Sequence, residues 1–216
     1  MKLIWGQMGE KTYETGVSKG VLYPMTDGVY GAGVAWNGLT KVTESPSGAE
    51  ATSLYADDAK YLSLMSAEEY GCTIEAYMSP EEFDACDGSV ELADGLSVGQ
   101  QTRKSFGFSY QTLKGNDTKG IEFGKKIHIV YGCLASPSSR DHATVNESVE
   151  ASTLSWEVKA TPVAVEGLKP TATVTIDSTK ITAEKLKAIE DILYGTDDQE
   201  SRLPLPDELK TILAAA

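Results

Sequence analysis

The sequence is poor in the residues that most catalytic and metal centres need. It has two histidines, His128 and His142, and neither has Cys or carboxylate partners at ligand spacing, so no zinc site is expected. Its three cysteines, Cys72, Cys86 and Cys133, are odd in number and form no CxxC. That argues against a disulfide framework and for synthesis in a reducing cytosol, with each thiol acting as a small buried apolar residue. No stretch approaches the ~18 apolar residues of a membrane span. The N-terminal stretch MKLIWGQMGEKTYETG soon meets Gln, Glu and Lys and lacks the apolar core of a secretory signal. The Asn-x-Ser/Thr triplets at Asn116 and Asn146 are accordingly read as chance. There is no GxSxG nucleophile elbow and no GxxxxGK[ST] phosphate loop, and the glycines of residues 28–33 (GVYGAG) have the wrong spacing for a dinucleotide turn.

Basic charge is also scarce. The chain has 216 residues, 32 of them acidic and 19 basic, for a net charge of −13. Residues 43–100 hold 13 acids and a single base, Lys60, whereas residues 101–216 hold 14 of the bases. A protein that grips nucleic acid needs a basic face to neutralise phosphates, and no basic block exists here. A polybasic membrane contact is excluded on the same ground. Acid pairs such as Glu81 with Glu82 or Glu68 with Glu69 are neighbours in sequence and do not face each other. Neither Asp57-Asp58 nor residues 195–198 (GTDD) has calcium-loop spacing. No catalytic residue, cofactor or metal is therefore assigned.

What is present is alternation. Residues 104–113 (KSFGFSYQTL) place Phe106, Phe108 and Tyr110 on one face, and residues 125–134 (KKIHIVYGCL) place Ile127, Ile129 and Tyr131 on one face. The turn-forming stretch 114–120 between them makes a long hairpin. Residues 152–159, 171–176 and, more weakly, 71–78 alternate too. Period-2 patterning predicts sheets with one buried and one wetter face. Three helices are predicted. One starts at Ser79-Pro80-Glu81-Glu82 and stops near Gly88, one runs over 182–194 between a Thr182 cap and Gly195, and one runs from Pro206 to about Leu213. The first 60 residues are rich in Gly, Ser, Thr and Asp, with brief strand-like pieces such as 34–42, and residues 43–59 (TESPSGAEATSLYADDA) read as a long loop or arm. These residues describe an acidic, β-rich domain in a structural or binding role.

The C-terminal third is more specific. It carries the runs 155–158 (SWEV), 161–165 (TPVAV) and 169–178 (KPTATVTIDS), then a helix ending ILYGT, then 202–208 (RLPLPDE). With 5–6 (WG), 13–17 (YETGV), 19–24 (KGVLYP), 34–39 (VAWNGL), 44–50 (ESPSGAE) and 55–57 (YAD), the chain resembles, over essentially its full length, a known family. These are the major tail proteins, or tail tube proteins, of long, non-contractile-tailed phages and prophages of Gram-positive bacteria.

The resemblance implies one domain over 1–216, a mainly β fold of packed antiparallel sheets as a sandwich or half-barrel with a flanking helix, an arm at 43–59 and a C-terminal helical segment at 182–216. It implies homohexameric rings that stack into the tail tube around the tape-measure protein, between tail terminator and distal tail proteins. DNA would pass through without sequence-specific binding, and no membrane is involved. The location implied is the virion tail, after synthesis and assembly in the host cytoplasm. On this reading Glu44, Ser45, Pro46, Glu50, Tyr55, Asp57 and Asp58 of the arm are candidates for inter-subunit or inter-ring contact. Lys104, Tyr110, Lys125, His128 and Tyr131 are candidates to line the lumen, which acidic charge would keep from sticking to DNA. A tail-like bacteriocin or domesticated prophage particle belongs to the same class. The alternatives are an Ig-like β-sandwich binding module of a virion or cell surface, and a hydrolase with carboxylates in a cleft.

Overall fold

The computed structural model describes residues 2–144 and 151–214, so the Asn146 triplet lies outside the described residues. In chain order the strands are β1 (Thr12–Thr26), β2 (Val29–Tyr30), β3 (Val34–Trp36), β4 (Leu39–Glu44), β5 (Ser47–Gly48), β6 (Ala51–Ala56), β7 (Ala59–Met65), β8 (Glu68–Glu69) and β9 (Gly71–Ala76). A 3-10 turn at Glu81–Phe83 leads into α1 (Asp84–Asp87), followed by β10 (Val90–Ala93), β11 (Leu96–Val98), β12 (Phe106–Asn116), β13 (Gly120–Ala135), β14 (Leu154–Ala160) and β15 (Thr173–Asp177). A second 3-10 turn, Ser178–Lys180, precedes α2 (Ala183–Tyr194) and α3 (Pro206–Ala214). The chain is mainly β, with antiparallel sheets and a few helices, as the alternation predicts.

The predicted central hairpin forms and is longer than expected. The β12–β13 ladder runs from Phe106↔Cys133 to Asn116↔Gly120, so most of the supposed loop at 114–120 is strand. The Asn116 side chain accepts from the Thr118 and Lys119 amides and closes the turn. The main sheet has the order β2-β1-β12-β13-β14-β9-β4, with β15 added to β13 and β3 to β1. It curls until its ends meet, where Gly20 of β1 leaves no room for a side chain beside Leu39 of β4.

Each face of β12–β13 is buried by a different layer. Inside the curl, Phe106, Phe108, Tyr110 and Val130 pack with Trp36, Ile74, Phe83 and Trp156. The rings of Trp36, Phe83 and Trp156 meet at 4.6–5.4 Å, tilted or edge-on, which suits their quadrupoles. On the outer face Ile127, Ile129, Tyr131, Tyr23 and Ile176 pack under Ile189 and Leu193 of α2, with Leu203 and Leu209. Burying each such side chain stabilises the fold by roughly 1.5–3 kcal/mol. The three cysteines are free and buried, and burial pushes the Cys72 thiol up to about 12 and the Cys86 thiol up to about 11.

Three expectations are corrected. The N-terminal region holds a 15-residue strand, β1. Its alternation is interrupted by register shifts between Thr15 and Ser18 and between Ser18 and Val21, and Lys19 has φ 50°, so no unbroken period-2 run marks it. The predicted strand at 34–42 is two strands, split at Asn37-Gly38. The helix expected after Ser79 begins as a 3-10 turn with Pro80 at its N-cap and no side-chain cap, although Gly88 ends α1 in the left-handed conformation as expected. The second helix agrees closely with the sequence reading: Thr182 accepts from the Lys185 amide at its start and Gly195 follows Tyr194.

Candidate interaction surfaces

Among the described residues, no group of three or more His, Cys, Asp or Glu could hold a metal ion, and no helix is long and apolar enough to cross a membrane. The unusual features are surfaces. The first is the segment read as a loop, which is a β-ribbon. Ser47↔Glu69 and Gly48↔Glu68 join β5 to β8, and Ala51↔Met65 through Ala56↔Ala59 join β6 to β7. The Ser45 amide donates to Gly71 O, so the ribbon continues directly from β4 and β9. Gly48 has φ 83°, and a Cβ there would lie 2.2 Å from Ala67 O, so only glycine fits this bend. The tip is a two-residue turn with Asp57 at φ 52° and Asp58 at φ 58°. Positive φ at both positions is the type I′ geometry that matches strand twist.

This ribbon stands in solvent on both faces. Leu54 pairs with Leu62 and Thr52 with Leu64, so these leucines share one face. Met65 pairs with Ala51 on the other face, where Tyr55 also points by alternation. Leu64, Tyr55, Tyr61 and Met65 are 55%, 73%, 72% and 71% exposed. An apolar ribbon bare on both sides is the kind of patch that marks an interface.

The arm candidates divide along it. Tyr55, Asp57 and Asp58 lie at the exposed tip and Glu50 beside its base, while Ser45 and Pro46 lie at the exposed root. Glu44 belongs to β4 and accepts from the Tyr110 hydroxyl at 2.8 Å, so it is anchored to the sheet.

The second surface is the lower half of the main sheet, where β1, β12, β13 and β15 lie side by side. Its outer face is covered by α2. Its other face is polar and carries Glu14, Thr112, Lys114, Lys126, His128, Thr175 and Asp177. Lys114 donates to Asp177 at 2.6 Å, and Lys126 is ion-paired with Glu14. Burial pushes the Asp177 carboxyl up, but the Lys114 ammonium and the Thr179 hydroxyl and amide outweigh it and hold the group at about 2. Residues 12–18 of β1 pair only with β12, and β15 pairs only with β13, so among the described residues both outer edges are unpaired.

The lumen candidates do not share a surface, because adjacent strand residues point to opposite faces. Tyr110 and His128 are cross-strand partners on the inner face and are buried there, stacked at 4.6 Å. Tyr131 is wholly buried on the helix side and donates to Pro204 O. Lys125 is also on the helix side, held by Glu190 of α2. Lys104 precedes β12 and its amide donates to Ala85 O, next to α1. Of the five, only His128 borders the polar face, and Tyr110 and Tyr131 are core residues. The sequence reading does not name the polar-face residues Thr112, Lys114, Lys126, Thr175 and Asp177, although the alternation of Tyr110 continues through Thr112 to Lys114. The acids of residues 43–100 also lie elsewhere, chiefly along the ribbon and around α1 to β11.

No protein-family model matches the chain, and no curated protein matches it.

Proposed function

We propose that the chain is a tail tube protein, whose copies close head to tail into hexameric rings that stack into a conduit for DNA. The observation that carries this reading is the pair of edges, unpaired among the described residues, that bound the four-strand lower half of the main sheet. β1, β12, β13 and β15 alternate in direction, so β15 runs antiparallel to β1. A second copy could therefore set its β15 against residues 12–18 of β1 and continue an antiparallel sheet without a break. Such heterologous contacts form rings when the rotation closes, and closure removes the exposed edges. The polar face would then line the channel. Its lysines are committed to carboxylates, so a passing phosphate backbone would meet no free cation there. The two-faced apolar ribbon is the proposed contact to neighbouring copies, between subunits or between rings.

Electron microscopy of concentrated purified protein tests this: rings or tubes are expected, and a monodisperse monomer at high concentration counts against it. Thr12→Pro and Thr15→Pro sharpen the test. In an antiparallel strand successive amides alternate sides; the Asp117 amide donates to Lys11 O, so the Thr15 amide faces β12 and the Thr12 amide faces the open edge. Thr12→Pro is expected to fold normally and form no rings, whereas Thr15→Pro weakens the β1–β12 ladder itself. Rings from Thr12→Pro would remove the edge-pairing scheme.

A further inference from the structure

The buried cluster around His128 lies where β1, β4, β12, β13 and β15 converge, and it has a defined protonation logic. His128 is 7% exposed, and its imidazole lies flat on the Tyr110 ring, at an interplanar angle of 6°. The groups that face it are Glu14 from β1, Glu44 from β4, Tyr110 and Thr112 from β12, Lys126 along β13 and Thr175 from β15, with Tyr70 beside Glu44.

Thr112 Oγ1 donates to Glu14 Oε1 at 2.6 Å, which commits its only proton. Nε2 of His128 lies 3.0 Å from that hydroxyl and 3.2 Å from Glu14 Oε1, so Nε2 carries the ring proton. Nδ1 is then a lone pair that accepts from the Thr175 hydroxyl at 3.4 Å. Glu44 Oε1 stands 3.7 Å from Nδ1, just beyond a hydrogen bond, and takes its proton contact from the Tyr110 hydroxyl instead. The neutral ring is therefore fully satisfied while one carboxylate waits beside its unprotonated nitrogen. Burial favours the neutral ring and outweighs the pull of Glu14 and Glu44, so His128 titrates below its ordinary value.

We propose that His128 is a proton-operated clamp, which on charging draws Glu44 onto Nδ1 and pins the root of the exposed ribbon to the sheet. A second proton at Nδ1 turns the Thr175 hydroxyl from donor to acceptor and makes Glu44 the nearest counter-charge. Glu44 is the last residue of β4, and the ribbon begins at the next residues, so closing this gap tightens the ribbon root. Because Glu14 belongs to the open edge of β1, the same ring ties that edge to the ribbon. The proposal does not depend on ring formation.

Two measurements on the full chain test it. Long-range 1H–15N spectra of the histidine rings at about pH 7.5 are expected to show the Nε2–H tautomer for His128, assigned by its loss in His128→Gln. An Nδ1–H tautomer overturns the proposal. Amide exchange, expressed as protection factors at Ser45, Ala49 and Ser66, is expected to slow severalfold between about pH 7.5 and about pH 4.5 in the native chain, a window that reaches below the ordinary histidine value. Glu44→Gln keeps an acceptor for Tyr110 but cannot form the ion pair, and it is expected to abolish that change. An equal pH response in the native chain and Glu44→Gln overturns the clamp. Should His128→Gln fail to fold, ring assignment by selective labelling together with Glu44→Gln still decides the matter.

Discussion

The β12–β13 and β6–β7 hairpins are built from the same kind of ladder, and they differ in what covers them. β12–β13 is apolar on both faces through its upper half, because an aromatic layer packs inside the curl and helices pack outside. β6–β7 also has apolar residues on both faces, but among the described residues nothing lies over them. An isolated two-stranded ribbon is marginal in water, so its apolar residues are better explained by a partner than by the stability of the monomer. The comparison separates residues that hold the fold from residues that are available to bind.

The largest effect that tests this contrast is truncation in the packed hairpin. Phe108→Ala is expected to cost about 3–5 kcal/mol in chemical denaturation, because it leaves a cavity among Trp36, Tyr110 and neighbouring rings. A cost near zero would mean that the inner layer is not packed as described. Gly48→Val is expected to cost ~1–3 kcal/mol, because φ 83° and the nearby Ala67 carbonyl both exclude a side chain. Exchange at the ribbon amides would locate that loss, and a loss spread evenly over the sheet would contradict a local origin.

Leu62→Ser, on the bare ribbon, is expected to change monomer stability by no more than about 0.5 kcal/mol while weakening self-association. A large loss of monomer stability would show that the ribbon is covered within one chain. The smallest expected effect is electrostatic. The Asp177 carboxyl is held at about 2, below its ordinary 3.8, so its contribution is present above that ordinary value and fades as pH falls toward 2. Its site is only part-buried, so the contribution is small. Lys114→Met should flatten this part of the acid unfolding curve, and an unchanged curve would remove Lys114 as the cause.

The parts of the fold legible in the sequence were those with an uninterrupted period. The β12–β13 alternation and the α2 stripe between Thr182 and Gly195 are local signals, and both appear close to where they were expected. β1 was hidden because its bulges break the alternation, and a positive φ at Lys19 is not visible in residue type. The ribbon was hidden because Asp57-Asp58 is a weaker I′ signal than Asn-Gly or Asp-Gly, and its acids resembled a solvated loop. The candidate surface was only partly legible. The segment 43–59 is legible as an exposed feature but not as a ribbon, and the residues proposed for the lumen from sequence lie on both faces of one sheet.

The two faces of that sheet mark the boundary between the two kinds of information. Side-chain periodicity and cap residues by themselves determined that this chain is mainly β, where its longest hairpin lies and where α2 begins and ends. Periodicity determines that a strand has two faces, because successive residues must point in opposite directions. Only the tertiary structure decided which face the helices cover, which half of the sheet stays polar, and which edges and ribbon remain open. Those outcomes depend on pairings between strands far apart in the chain, such as β1 with β12 and β9 with β14, and the local sequence of either partner does not contain them.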